Sequence, residues 1–473
     1  MFETIVYKTR RNRLKDLLKK DVALFPGNDE CAMNYPANTY HFRQDSSFLY
    51  FFGLDQPGLA GLIDFESGED YVFGNDMTME DIVWMGNKPL MADRAAQVGI
   101  TRTLPYGKLS GFINKLTRQG KIIHYLPPYR GETIIQLSHL LNTHVNGIKK
   151  GASVDLIKAV ISLRSVKDPV EITEIENMVD VAYEMHTTAM KMAQPGIFER
   201  EIAGKIEGIA LSQGGAVAFP IILSINGQIL HNHYHGNLLK KGRLMVVDAG
   251  AESCNGYASD ITRTSPVGGK FSPKQKKVYE IVLAANMESI KEVRPGITFR
   301  SVHLKSAGII AEGLKELGLM KGDIEKAVNA GAHALFFPHG LGHMLGMDVH
   351  DMEGLGEDYV GYDNTLQRSK QFGTAYLRLA KKLQPGYVLT IEPGIYFIPA
   401  LIDQWQSSKM FAEFINYDKV EEYRDFGGIR IEDNVLVTDK GHRVLGKPIP
   451  KTIKEIEEMM KNIPGSSGQY LLL

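Results

Sequence analysis

The stretch KKGRLMVVDAG at residues 240–250 returns, loosened but in the same order, as LQPGYVLTIEPG at residues 383–394. In both, a glycine stands six residues before a carboxylate: Gly242 before Asp248, and Gly386 before Glu392. The run LMVV that Asp248 closes reads as a buried strand, and a carboxylate at its end is read as a ligand rather than a cap for the next turn. Three further pairs flank this one in matching order. A helix ending in QPGI (194–197) is echoed by one that starts at Ser272-Pro273 and ends in RPGI (294–297). AVAFP (216–220) is echoed by ALFFP (334–338), and SDITRTSPV (259–267) by IEDNVLVTD (431–439). Four pairs in one order predict two halves of one α/β fold, related by a pseudo-twofold axis.

The repeat aligns Asp248 with Glu392 and Asp260 with Glu432. Four carboxylates converging on such an axis cannot be buried together unless cations neutralise them. Asp260 opens ITRT, the expected return strand of a hairpin with Asp248. Glu392 precedes Pro393, which biases its backbone toward extended geometry. Glu432 shares a strand face with Arg430 in GGIRIEDN, where Arg430 is expected to orient it. The segment HGLGHMLGMDVHD (339–351) is not a helical two-histidine zinc grip. Gly340, Gly342 and Gly346 make a helix expensive there, and no glutamate sits between the paired histidines. One histidine from it would complete a set of four carboxylates and an imidazole, which suits hard divalent ions such as manganese. Two cations so held would activate water and polarise a carbonyl, and the predicted chemistry is metal-assisted hydrolysis. The tract ILHNHYH (229–235) adds His231, His233 and His235, either as a metal tract or as loop histidines lining a cleft.

A length of 473 residues implies two or three domains. A formal net charge of −1 and an ordinary globular composition give no reason to expect nucleic acid or a membrane surface as partner. The start MFETIVYKTRRNR lacks the apolar core of a signal peptide, and no run of eighteen apolar residues occurs, so a cytoplasmic protein is expected. Cys31 and Cys254 are too few for a disulfide framework. The basic run YKTRRNRLKDLLKK (7–20) reads as the solvated face of a helix. Strands are expected at 48–54, 60–65, 70–74 and 121–126, with helices at 91–98 and 108–118, an α/β domain by itself. Asp168-Pro169-Val170-Glu171 is a helix start, with Ile175, Met178, Val179, Ala182, Met185 and Ala189 following one face. A boundary near 160 gives domains 1–160 and 161–473.

The combination DAG (248–250), GYASDITRT (256–264), HGLGHMLGMDVHD, TIEPGIY (390–396) and GGIRIEDN (427–434) resembles the aminopeptidase P and prolidase branch of the pita-bread metallopeptidases. YPANTYHFRQDSSFLYFFGLDQPG (35–58) is similar to the N-terminal domain those enzymes carry. The resemblance implies an N-terminal α/β domain followed by a pseudo-twofold pita-bread catalytic domain. It also implies a dinuclear centre on Asp248, Asp260, His343, Glu392 and Glu432, usually of manganese, with cobalt or zinc as alternatives. Asp260 and Glu432 would bridge the ions, and Glu392 would handle the proton of the attacking water. His231, His339 and His350 would belong to the substrate pocket, and Arg378 falls where prolidases grip a free carboxylate. The implied reaction is hydrolysis of the N-terminal Xaa-Pro bond of proline-containing peptides, with a prolidase restricted to dipeptides as the alternative. A non-catalytic binding protein on this fold would have lost ligands, whereas all five are present. A homodimer or homotetramer is expected. The segment AGAESCNGYAS between the two aspartates is one residue longer than the family spacing, which the loop ESCNG is expected to absorb.

Overall fold

Asp168 accepts a hydrogen bond from the Glu171 N–H, and Glu171 returns one from the Asp168 N–H, which starts the 24-residue helix Pro169–Met192 as the sequence predicts. Ile175, Met178, Val179, Ala182, Met185 and Ala189 are all buried along it. The computed structural model describes residues 1–461. It divides into one unit of Met1–Ser165 with Met352–Val360, and a second of Val166–Asp351 with the chain from Gly361 onward.

The second unit is built twice. The helices Pro169–Met192 and Glu199–Ser212 precede the strand Leu244–Ala249, and the helices Pro273–Glu292 and Phe299–Glu316 precede the strand Val388–Ile391. Leu244–Ala249 is buried throughout and pairs antiparallel with Ile261–Pro266 and Ile222–Ser224. Val388–Ile391 pairs antiparallel with Asp433–Val437, which also pairs with His442–Val444. The sequence repeat is therefore a repeat of hairpins behind helix pairs. AVAFP and ALFFP differ, however: Ala216–Val217 is a strand, whereas Ala332–Leu335 is a 3-10 turn.

The first unit holds a mixed five-stranded sheet in the order Arg102–Leu104, Asp70–Phe73, Ala60–Asp64, Val22–Pro26, Ile123–His124. Val22, Leu24, Ala60, Leu62 and Phe73 pack against Leu109, Ile113 and Leu116, joining the two-residue period of strands to the helical period of Leu109–Arg118. Two expectations are corrected. FLYFFGL was expected to be a strand but lies in the helix Ser46–Phe52, started by the Asp45 side chain and ended by Gly53 at φ 61°. All seven residues of that helix are buried, and a wholly apolar run carries no period to separate helix from strand. The basic run does form a helix, Thr4–Leu17, but Arg10 and Arg11 lie on its buried face with Tyr7 and Leu14. Arg11 pairs with Asp70 at 2.8 Å and donates to the carbonyls of Phe51 and Val98. Those bonds satisfy a charge that would otherwise have to stay in water.

Candidate metal centre

On the Leu244–Ala249 hairpin, Asp248 lies directly opposite Thr262. Asp260 is two residues from Thr262, so the side-chain alternation of strands puts all three on one face. In the other half, Ile391 opposes Asp433 and Gly394 opposes Arg430. The same register places Glu392 opposite Glu432, where the two paired segments meet. The hairpins are tied across the axis by hydrogen bonds: Asp260 N–H to Asn434 Oδ1 at 3.0 Å, Glu432 N–H to the Thr262 carbonyl at 3.0 Å, and Arg430 N–H to Thr264 Oγ1 at 3.1 Å.

The histidine segment runs along Val388–Ile391 as an irregular extra strand. Thr390 N–H donates to the His343 carbonyl at 3.0 Å, and Glu392 N–H to that of Leu341 at 2.8 Å. A side chain at Gly342 would put its Cβ 2.0 Å from the Thr390 carbonyl oxygen, so the close approach requires glycine. His343 Nε2 lies 3.3 Å from Asp260 Oδ2 and 3.6 Å from Glu392 Oε1. Its Nδ1 is 3.0 Å from the Met344 carbonyl and must carry the hydrogen there, leaving a lone pair on Nε2 aimed at the acids.

Asp260, His343 and Glu432 each offer a ligand atom within 4.8 Å of the others, and all three are buried. Burial and the charge of Asp248 raise the Asp260 pKa well above the carboxylate range. Burial, followed by Asp260 and Glu392, does the same to Glu432. Glu392 is pushed up to about 7, chiefly by burial. Asp248 Oδ1 is buried without a hydrogen-bond partner. Acids that repel one another, an orphaned carboxylate oxygen and an imidazole lone pair form a donor set that fits divalent cations.

Arg430 is buried and donates to Asp248 Oδ2 at 2.6 Å, Thr262 Oγ1 at 3.1 Å and Tyr396 Oη at 2.8 Å. The expectation that it orients Glu432 directly is corrected: its carboxylate partner is Asp248. It reaches Glu432 only through Thr262, whose hydroxyl donates to Glu432 Oε2 at 2.8 Å. Tyr396 also contacts His339 Nε2 at 2.9 Å. Because His339 Nδ1 faces the Gly340 carbonyl at 2.8 Å and must donate, Nε2 accepts the Tyr396 hydroxyl proton. Burial holds His339 down to about 3, so its ring is neutral.

Ten of the side chains singled out from the sequence, His231, Asp248, Asp260, His339, His343, His350, Arg378, Glu392, Arg430 and Glu432, line one cavity of about 620 Å³. Phe219, Ile222, Leu230 and Phe372 supply apolar wall. The His350 and His343 rings meet edge to face at 4.3 Å. Just beyond His350, Asp351 makes a buried ion pair with Lys167 at 2.7 Å. His233 lines the cavity, but His235 does not. Sequence reasoning missed Thr262, Tyr396 and the Lys167–Asp351 pair. Tyr396 had a signal, since it stands two and four residues from Gly394 and Glu392 on one strand face. Cys31 and Cys254 are free and exposed.

The profile of metallopeptidase family M24 matches residues 173–439, and that of the aminopeptidase P N-terminal domain matches residues 7–124. Human Xaa-Pro dipeptidase is 30% identical over 482 residues, covering 96% of this chain and 93% of its own. A probable Xaa-Pro aminopeptidase of Paracoccidioides brasiliensis is 31% identical over 429 residues, covering 88% of this chain and 87% of its own. Aminopeptidase P of Escherichia coli, solved with the inhibitor Pro-Leu, superposes with a TM-score of 0.80 at 28% identity, covering 97% of this chain and 98% of that one.

Proposed function

Because the chain belongs to metallopeptidase family M24, we propose that it hydrolyses the bond between an N-terminal residue and a following proline, as an Xaa-Pro aminopeptidase. The observation that carries this reading is the convergence of four carboxylates and one imidazole in a single cavity. Asp248, Asp260, His343, Glu392 and Glu432 would hold two divalent cations, with manganese as the proposed ion. Bound there, the cations supply an activated water and a polarised scissile carbonyl.

The protein's own groups do the rest. Glu392, buried with one carboxylate oxygen 3.6 Å from His343 Nε2, would take the proton of the attacking water and pass it to the departing nitrogen. That step matters because an Xaa-Pro link is a tertiary amide without an N–H. His231 and His350 line the cavity where they can donate to the carbonyl oxygen. His339, held neutral between Gly340 and Tyr396, shapes the proline side.

Arg378 also lines the cavity, and its forked guanidinium suits a dipeptide's free carboxylate. This observation favours Xaa-Pro dipeptidase as the second reading. Assaying manganese-loaded protein with Gly-Pro and Gly-Pro-Pro separates the readings. Cleavage of both supports the aminopeptidase, cleavage of the dipeptide alone selects the dipeptidase, and cleavage of neither removes the enzymatic proposal.

The proposed setting is the cytoplasm, and no helix among the described residues is long and apolar enough to cross a membrane. The proposed assembly is a homodimer or homotetramer. It is supported by the helix Met79–Met85, which buries no residue and exposes Met79, Val83, Trp84 and Met85. Sedimentation of the purified protein tests this.

A further inference from the structure

We propose that a second cavity, meeting the first at Pro220 and His233, binds the C-terminal carboxylate of peptides longer than a dipeptide, and that Arg200 is the residue that recognises it. The inference rests on the Xaa-Pro reading above and assigns a subsite to the part of the substrate beyond the proline.

The second cavity has a volume of about 390 Å³, and Arg200, Glu207 and His235 are among its lining residues. Pro220 and His233 line both cavities. The alternating histidines thus form a common wall, with His231 and His233 on the first cavity and His233 and His235 on the second. Neither alternative read from the sequence, metal tract or cleft histidines, distinguished these two sides.

The wall is rigidly held. The Arg200 N–H donates to the His235 carbonyl, and the Glu199 N–H to that of Asn237, each at 3.0 Å. The wholly buried Glu199 carboxylate accepts from Ser224 Oγ at 3.1 Å, Ile225 N–H at 2.8 Å and Asn237 Nδ2 at 2.8 Å. A buried acid satisfied from both sides in this way fastens the histidine tract to the helix Glu199–Ser212. Arg200 is exposed in the first turn of that helix, its guanidinium 3.9 Å from the centre of the Phe198 ring. Among the described residues it has no carboxylate partner. Glu207, the acidic lining residue, lies seven residues further on, about 10 Å along the helix axis from Arg200, which Glu199 and Glu201 flank in the first turn.

Polarity selects the ligand. An enzyme that cuts the first bond holds the positively charged terminus beside the metal centre, so any extension leaves the first cavity with its negative terminus leading. Each added residue carries that carboxylate outward by up to about 3.5 Å. A dipeptide's carboxylate stays within the first cavity with Arg378, and a longer peptide's crosses the rim toward Arg200.

The test uses Gly-Pro-Gly and its extensions by one, two and three glycines, each as the free acid and as the C-terminal amide. These are assayed with manganese-loaded wild type, R200M and R200K. Wild type is expected to prefer the acid to the amide by about tenfold in kcat/KM at one peptide length, the size of one charge-assisted hydrogen bond. R200M is expected to bring that ratio to about one, and R200K to retain part of it. Equal cleavage of acids and amides by wild type at every length overturns the subsite, as does a preference that survives in R200M. If wild type cleaves none of these peptides and not Gly-Pro either, the Xaa-Pro reading fails and the subsite with it. Cleavage without dependence on Arg200 sinks the subsite alone.

Discussion

Glu392 is the residue on which geometry and titration meet. It faces Glu432 across the hairpin and His343 Nε2 at 3.6 Å, and its pKa is raised by burial against the lowering pull of His343 and Arg430. Glu392→Gln keeps the shape but can neither take a proton nor bring a charge to the metals. Turnover of Gly-Pro should fall by about 10²–10⁴-fold, and wild-type turnover would remove Glu392 from the mechanism. The same titration predicts how pH acts on stability. A carboxyl whose pKa rises on folding, here from 4.5 to about 7 for Glu392, favours the native state below the unfolded value. That contribution is lost as pH climbs through the folded value. Metal-free protein should therefore melt at lower temperature as pH rises from 5 through 8, while manganese-loaded protein, its acids neutralised, should not. The gap between the two melting temperatures should widen with pH, and calorimetry showing a constant gap would contradict this origin of the shift.

Among the elements, the histidine segment depends most on one absent side chain. Gly342→Ala places a methyl against the Thr390 carbonyl and must push the segment off the Val388–Ile391 strand. A loss of about 2–3 kcal/mol is expected, measured by urea unfolding, together with weaker manganese binding because His343 moves with the segment. Unchanged stability and affinity would mean that the close approach is not maintained in solution. Legibility also divides at this level. The hairpins and their acids could be read because strand ends, Gly spacing and the repeat are local patterns. The Arg430–Asp248 bond could not, because it depends on how the two halves register across the axis, and no spacing within GGIRIEDN encodes that. The buried Arg10 and Arg11 were hidden for a different reason. Partners distant in sequence, such as Asp70 and the Val98 carbonyl, decide whether a charge can be buried.

At the scale of the molecule, the chain leaves the catalytic unit immediately after Asp351 and returns at Gly361. Leu355 and Val360 are buried in the intervening segment, which belongs to the first unit. A chain beginning at Val166 would leave these apolar residues without the rest of the unit they belong to. Such a truncation is expected to melt several degrees below the full chain and to lose peptidase activity. Equal melting temperature and activity would show that residues 352–360 do not need the first unit.

That excursion also sets an order of events during synthesis. The first unit is not complete when residue 165 leaves the ribosome, because its last piece, Met352–Val360, follows only after most of the catalytic unit has been made. At about 5–20 residues per second the wait is roughly 10–40 s. Through that interval the helix Val154–Ser165 lacks the Glu357–Val360 neighbour it has in the native unit, and the proposed ligands Asp248 and Asp260 emerge before that neighbour does. His343 emerges nine residues ahead of the closing segment, whereas the proposed ligands Glu392 and Glu432 emerge 32 and 72 residues after its end, so the proposed metal site is completed only after the first unit has received its last piece.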